Sequence, residues 1–263
     1  LKYDYLLIDI EGTLVKDKTF TPVDGAPHWV RRLSREGKHF ILITNNTTHT
    51  PDDLYELMLD KGFTFKVRQL LTCISAGADY LKRMKCSSCF VIGSPAIKRH
   101  LRSKGFEIRN SADVDAVAVG LDEKLSFAKL RTATAALVKN DARLCGMHKN
   151  RLYVDRRGRI SFSAGPIVKA LEYASGKRAY ISGKPSPGMF RRALSGWGCP
   201  PEKVLMISDD PLSDLRGARK MGMGTCFVKS GAYPDESVLQ RLNRDEKPDY
   251  VLNSVADITF IFE

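Results

Sequence analysis

A chain of 263 residues is long enough for one large domain or two smaller ones, and a hydrophobic share of 43% is ordinary for a soluble globular protein. No run of about 18 apolar residues occurs and no basic-then-apolar leader opens the sequence, which argues against a membrane span and reads as a cytoplasmic protein without a signal peptide. The formal net charge of +12 is spread along the chain, which reads as a solvated basic surface suited to anionic small molecules rather than as a nucleic-acid face.

Strand and helix patterns alternate from end to end, the signature of a parallel sheet with helices on both faces. The first strand, Tyr5–Ile10, is an apolar run that delivers two carboxylates, Asp9 and Glu11, into a turn at Gly12. Two acids side by side at the carboxyl edge of a strand repel unless a cation or a proton joins them, so this stretch has the makings of a metal-dependent site. An acidic loop that merely closes a strand is the plainer alternative. After a helix over Ala26–Glu36, the strand His39–Thr44 stops at a hydroxyl and two amides, Thr44-Asn45-Asn46. The Thr44 O–H and the Asn45 N–H suit phosphate oxygens, and an Asx-type turn would use the same residues.

The next elements are a helix over Pro51–Lys61, a strand over Gln69–Thr72 and a helix over Gly77–Met84. Strands follow at Phe90–Ile92, Ala116–Val119 and Arg143–Gly146, with helices over Pro95–Lys104 and Phe127–Lys139. Cys86-Ser87-Ser88-Cys89 is a C-x-x-C that invites a redox or zinc reading, but no second pair completes a tetrahedral set. The runs Arg151–Val154 and Arg159–Phe162 flank the polar turn Asp155-Arg156-Arg157-Gly158 and suggest a hairpin. That hairpin breaks the simple alternation and marks a separate module in the middle of the chain, inserted into a sheet that resumes at Ala179. A helix covers Ile167–Ser175.

The strand Ala179–Ser182 then leads into Gly183-Lys184-Pro185-Ser186-Pro187, where the prolines keep Lys184 at the sheet edge, able to neutralise a carboxylate or a phosphoryl oxygen. A helix over Pro187–Gly196 leads to the strand Val204–Ser208, which ends in Asp209-Asp210, with Asp214 opening a helix over Asp214–Met221. Hard oxygen donors in this arrangement suit Mg²⁺, and helix capping by Asp214 is compatible with it. Strands at Thr225–Val228 and Tyr250–Leu252 complete the pattern. Acid pair, Thr-Asn, Gly-Lys-Pro and acid cluster, each closing a predicted strand, are together expected at one sheet edge.

This order resembles the four motifs of the haloacid dehalogenase superfamily of aspartate-nucleophile phosphatases. The insertion between Asn46 and Lys184 is similar to the type IIA cap of the NagD and nitrophenylphosphatase-like branch. Gly165-Pro166, Ala170-Leu171-Glu172-Tyr173-Ala174 and Gly183-Lys184-Pro185-Ser186-Pro187 resemble the phospholysine phosphohistidine inorganic pyrophosphate phosphatase-like subgroup. The resemblance implies an α/β fold, a Rossmann-like doubly wound parallel sheet core (residues 1–76 and 179–263) with an inserted α/β cap domain (77–178). It implies a hydrolase that cleaves a small phosphorylated metabolite, a phosphoester, phosphoamide or pyrophosphate, through an aspartyl-phosphate on Asp9. Mg²⁺ would be held by Asp9, the Glu11 carbonyl and Asp209, with Asp214 acting through water. Thr44 and Asn45 would cradle the phosphate, and Lys184 would offset the negative charge.

Glu11 departs from the pattern, because most of the superfamily has Asp there as acid and base. Glutamate reaches roughly 1.5 Å further, and a misplacement of that order can cost about 100-fold; Glu11 is still expected to serve as the acid and base, the alternative being that it only shapes the loop or the metal shell. Ser208 stands where relatives usually have Gly. These two departures feed the alternative of a catalytically weak binding protein on the same fold. In the cap, Met147-His148-Lys149-Asn150-Arg151 occupies the place of a specificity loop. Lys149 and Arg151 there suggest a leaving group with extra negative charge, and His148 reads as a hydrogen-bond partner in the loop. The expected partner is a small phosphorylated substrate, with no membrane or nucleic acid, and a homodimer is compatible with the sequence.

Overall fold

The computed structural model describes residues 3–16, 19–154 and 158–260. In chain order the first elements are strand β1 (Tyr5–Asp9), helix α1 (Ala26–Arg35), β2 (His39–Thr44), α2 (Pro51–Asp60) and β3 (Leu70–Thr72). There follow α3 (Cys73–Arg83), β4 (Ser88–Ile92), α4 (Pro95–Ser103), β5 (Glu107–Ile108), β6 (Ala116–Val119) and α5 (Phe127–Lys139). Next come β7 (Arg143–Gly146), β8 (Leu152–Val154), β9 (Ile160–Phe162), α6 (Ala164–Ser175), β10 (Tyr180–Ile181) and α7 (Pro187–Leu194). The described chain continues with β11 (Val204–Ser208), a wide π-type turn over Pro211–Leu215 that runs into α8 (Arg216–Arg219), β12 (Gly224–Val228) and β13 (Tyr250–Leu252).

Two units emerge. The first comprises Leu1–Thr44, Asp52–Leu71 and Lys184–Glu263, and the second Asn45–Pro51 and Thr72–Gly183. The first unit holds a six-stranded sheet in the order β13-β12-β11-β1-β2-β3. β1 pairs in parallel with β11 and β2, as do β11 with β12 and β12 with β13. Leu6, Leu7 and Ile8 are all buried, as a strand covered on both faces requires. Trp29, Val30 and Leu33 of α1, with Leu54 and Met58 of α2, pack into one core with Leu6, Ile8, Phe40, Leu42, Leu205 and Ile207. Burial of side chains this size stabilises by about 1.5–3 kcal/mol each. α1 can do this because its apolar residues recur at helical spacing behind the left-handed Gly25. The chain moves outward from β1 on one side and from β11 on the other. The crevice past the carboxyl ends of β1 and β11 is therefore the switch point, where such sheets bind ligands.

The second unit holds a parallel sheet in the order β10-β7-β6-β4-β5 and the antiparallel hairpin β8-β9, whose backbone register pairs Leu152 with Phe162 and Val154 with Ile160. Residues 155–157 of the expected turn lie outside the described residues. β10 is a correction: the strand before Lys184 does not resume the first sheet. Tyr180 and Ile181 pair with Cys145 and Gly146 of β7. In the first sheet β1 is already flanked by β2 and β11, whereas β7 offers an open edge, and Pro185 lacks the N–H to extend the ladder.

Smaller differences have local causes. α3 starts at Cys73 rather than Gly77 because Thr72 ends β3 and caps the helix at once, its hydroxyl accepting the Ser75 N–H at 3.1 Å. β5 has two residues, too few to show any alternation. The turn before α8 begins at Pro211, ahead of Asp214.

Among the described residues no helix is long and apolar enough to cross a membrane. Cys86 and Cys89 are both free thiols. Burial pushes the Cys89 thiol up to about 12, which disfavours the reactive thiolate.

Candidate active site

The acid loop is wound on a single carbonyl. The N–H groups of Thr13, Leu14 and Val15 all point at Ile10 O (3.2, 2.8 and 3.1 Å), and Gly12 N–H donates to Val15 O at 2.7 Å. Gly12 takes φ +86°, and a Cβ there would lie 2.0 Å from Asp209 Oδ2. A Cβ on Gly231 would lie 2.1 Å from the same oxygen. The Asp209 carboxylate thus occupies space that two side chains would otherwise fill. It accepts the Ala232 N–H at 2.7 Å, and its own N–H donates to Thr13 Oγ1 at 3.1 Å.

Register brings the other groups alongside. Ile8 sits opposite Ile207 and Asp9 opposite Ile43, so Asp9, Ser208 and Thr44 close three neighbouring strands. Lys184 is buried and pairs with Asp9 Oδ1, while its Nζ lies 2.7 Å from Asp214 Oδ2. Ser208 Oγ lies 3.0 Å from the same Asp214 oxygen. Thr44 Oγ1 donates to Glu11 Oε2 at 2.6 Å. Helix capping falls to Asp210, not Asp214: Asp210 Oδ1 accepts the N–H groups of Leu212 and Ser213 at 3.1 and 3.0 Å.

Electrostatics follow from burial and crowding. Desolvation pushes the Asp9 carboxyl well above the usual range, Lys184 opposes this, and Asp214, Asp209 and Glu11 add to the rise. Asp209 is pushed up to about 7, by desolvation first and then by Asp214 and Asp210, against the Ala232 N–H. Burial alone would lower Lys184, but Asp214 and Asp9 reverse that and hold it above the ordinary lysine value. Three buried carboxylates, Asp9, Asp209 and Asp214, share one buried ammonium, which pairs with Asp9 and Asp214, and a cation would relieve the excess negative charge. Among the described residues no group of three or more His, Cys, Asp or Glu is arranged as a complete ligand set. A hard divalent ion that keeps most of its waters needs only one or two carboxylates, and this donor set fits one.

The remaining candidates lie in the second unit. Asn45 turns its side chain towards Asn150, Nδ2 to Oδ1 3.5 Å, and its Oδ1 would be 2.4 Å from a Cβ on Gly183. Lys149 and Arg151 are exposed, while His148 is buried, its Nδ1 accepting the Asn150 N–H at 3.3 Å. A side chain on Gly165 would strike Lys149 O at 2.5 Å, so that glycine lets α6 approach the loop.

Burial lowers the His148 imidazole to about 4. The unfolded chain binds this proton near pH 6.5 and the folded one does not, so its contribution to stability is lost as pH falls from 6.5 towards 4. Between pH 7 and 5 the loss is about 2 kcal/mol. Urea unfolding of wild type and His148→Gln at both values checks this, because the variant lacks that slope. An identical slope in both proteins would contradict it.

Sequence patterning gives Thr13, Gly231 and Ala232 no role at the site and marks Ser208 only as a departure from Gly. Thr13 sits within the acid motif itself. The Ser230-Gly231 turn two residues past β12 could have signalled a fourth loop at this edge.

Compared with known proteins, residues 6–107 match the haloacid dehalogenase-like hydrolase profile, and residues 181–258 match the HAD-hydrolase-like profile. Human haloacid dehalogenase-like hydrolase domain-containing protein 2 is 31% identical over 228 residues, 87% of this chain and 85% of the relative. Mouse chronophin is 28% identical over 267 residues, covering 96% and 91%. The structure of a p-nitrophenyl phosphatase from Archaeoglobus fulgidus superposes with a TM-score of 0.88 at 27% identity, over 98% of each chain. The chain belongs to the haloacid dehalogenase-like hydrolases, as a phosphoric monoester hydrolase with the α/β core and inserted cap of the NagD and nitrophenylphosphatase-like branch.

Proposed function

We propose that this chain is a Mg²⁺-dependent phosphatase that hydrolyses a small phosphorylated metabolite through an aspartyl-phosphate on Asp9. The observation that carries the reading is a buried carboxylate at the switch point, held by a buried lysine and flanked by acids on the adjoining loops. Phosphoryl transfer asks for positioning and charge neutralisation more than for covalent help. Asp9, the Glu11 carbonyl and Asp209 would hold Mg²⁺, with Asp214 acting through water, and the ion would supply charge neutralisation to the phosphoryl oxygens.

The side chains supply the rest. Asp9 attacks phosphorus and the ester oxygen leaves with a proton from Glu11. Water then attacks the aspartyl-phosphate, gives its proton to Glu11 and releases phosphate and free Asp9. The Asn45 N–H and the amides of residues 10–11 cradle the phosphate, and the Thr44 hydroxyl joins them by turning its proton from Glu11 to a phosphate oxygen when substrate binds. Lys184 offsets charge throughout. Glu11→Gln is expected to lower kcat by about 100-fold or more if Glu11 moves the proton. Unchanged turnover across the pH range would leave Glu11 only a loop-shaping role.

In this reading the inserted unit is the cap, and Lys149 and Arg151 favour leaving groups that carry a second phosphate or a carboxylate. The test is a panel of phosphorylated metabolites, pyrophosphate and phosphohistidine, with and without Mg²⁺. The double variant Lys149→Glu/Arg151→Glu should reduce the preference for doubly anionic over singly anionic leaving groups about tenfold, on the order of one charge-assisted contact. An unaltered profile rejects the loop assignment. No turnover across the panel favours the alternative of a binding protein, for which Glu11 held on Thr44 is the supporting observation.

A further inference from the structure

Ser208 closes β11 and is fully buried. Its hydroxyl has three polar neighbours. The Asp210 N–H donates to Ser208 Oγ at 3.2 Å. Asp214 Oδ2 is 3.0 Å away and Asp9 Oδ2 is 3.5 Å away. A serine hydroxyl has a single proton to give. With the Asp210 amide on a lone pair, that proton goes to the nearer carboxylate, Asp214. The same Asp214 oxygen receives Lys184 at 2.7 Å, and Lys184 also holds Asp9 Oδ1. Ser208, Asp214, Lys184 and Asp9 therefore form a chain of contacts that ends on the proposed nucleophile.

We infer that Ser208 is a positioning residue for the phosphatase reaction: it fixes Asp214, and through Asp214 the lysine that orients Asp9. This rests on the reading of Asp9 as nucleophile. Glycine or alanine at 208 would leave that Asp214 oxygen without the hydroxyl and would orphan the Asp210 N–H. Because Ser208 donates to the nearer Asp214, its proton does not occupy Asp9 Oδ2, 3.5 Å away. The serine thus stiffens the site without blocking the attacking group.

The experiment measures kcat and KM for para-nitrophenyl phosphate with Mg²⁺ in wild type, Ser208→Ala, Ser208→Gly, Ser208→Thr and Asp9→Asn. Folded fraction is followed by circular dichroism. The expected result is a kcat about 10- to 100-fold lower in both the alanine and the glycine variant, the range for a lost hydrogen bond to a charged group. KM should move less than about threefold, and threonine should restore most of the rate. Should the threonine methyl prevent folding, agreement between alanine and glycine carries the result. Wild-type kcat in Ser208→Ala beside an inactive Asp9→Asn overturns the role of Ser208 and leaves the nucleophile standing. A loss that only tracks the folded fraction overturns it too, as a structural effect. An active Asp9→Asn overturns the underlying reading, and Ser208 with it.

Discussion

Asp9→Asn is expected to abolish phosphatase turnover, with a loss of at least about 10⁴-fold, while the protein stays folded. The amide is close in shape to the carboxylate but cannot form the acyl phosphate, and loss of a nucleophile removes the covalent route outright. Folding should survive because Asp9 is one of several carboxylates crowded around Lys184, and desolvation already disfavours its charged form. Lys184 keeps Asp214 at 2.7 Å as its partner. Single-turnover assays with para-nitrophenyl phosphate, with circular dichroism as the control for folding, check both halves. More than about 0.01% residual activity would mean that another group, or water directly, attacks phosphorus.

Lys184→Met should have the largest effect on stability and a large one on rate. The ammonium is buried between Asp9 and Asp214, and removing one partner of a buried ion pair typically costs about 3–5 kcal/mol because the other charges are left uncompensated. Turnover should fall by about 10³-fold, the scale of losing a preorganised charge at a phosphoryl group. The sign with pH follows from the direction of the shift. Lys184 is held above its unfolded value, so its stabilising contribution is complete below the ordinary lysine range and is lost as pH rises through the folded value. Wild type should therefore show an alkaline loss of stability that Lys184→Met lacks. Urea midpoints at pH 7 and above pH 10 check this, and a variant as stable as wild type at pH 7 would refute the buried pairing.

Much of the fold could be read along the chain because its signals are local. An apolar run that stops at a polar group, followed by Gly or Pro, marks a strand end without reference to anything distant. Tyr5–Asp9, His39–Thr44 and Val204–Ser208 all carry that mark, and all three lie side by side in one sheet. β10 carries the same mark and lies in the other sheet, because membership depends on which edge is open and not on the strand's own residues. β5 left no trace, since two residues cannot display a period.

Which residue types close each strand, and from their order the family, are legible along the chain, because strand termination, turn geometry and motif spacing are properties of short segments. How those groups meet is a matter of the folded chain. Thr13 supports Asp209 from 196 positions away, and Lys184 reaches Asp9 across 175. Thr44 gives its hydroxyl to Glu11, Ser208 gives its own to Asp214, and two glycines make room for one carboxylate. Such partnerships depend on distances of a few ångströms between segments far apart in the chain. They are fixed by strand register and packing, which no local pattern of residues records.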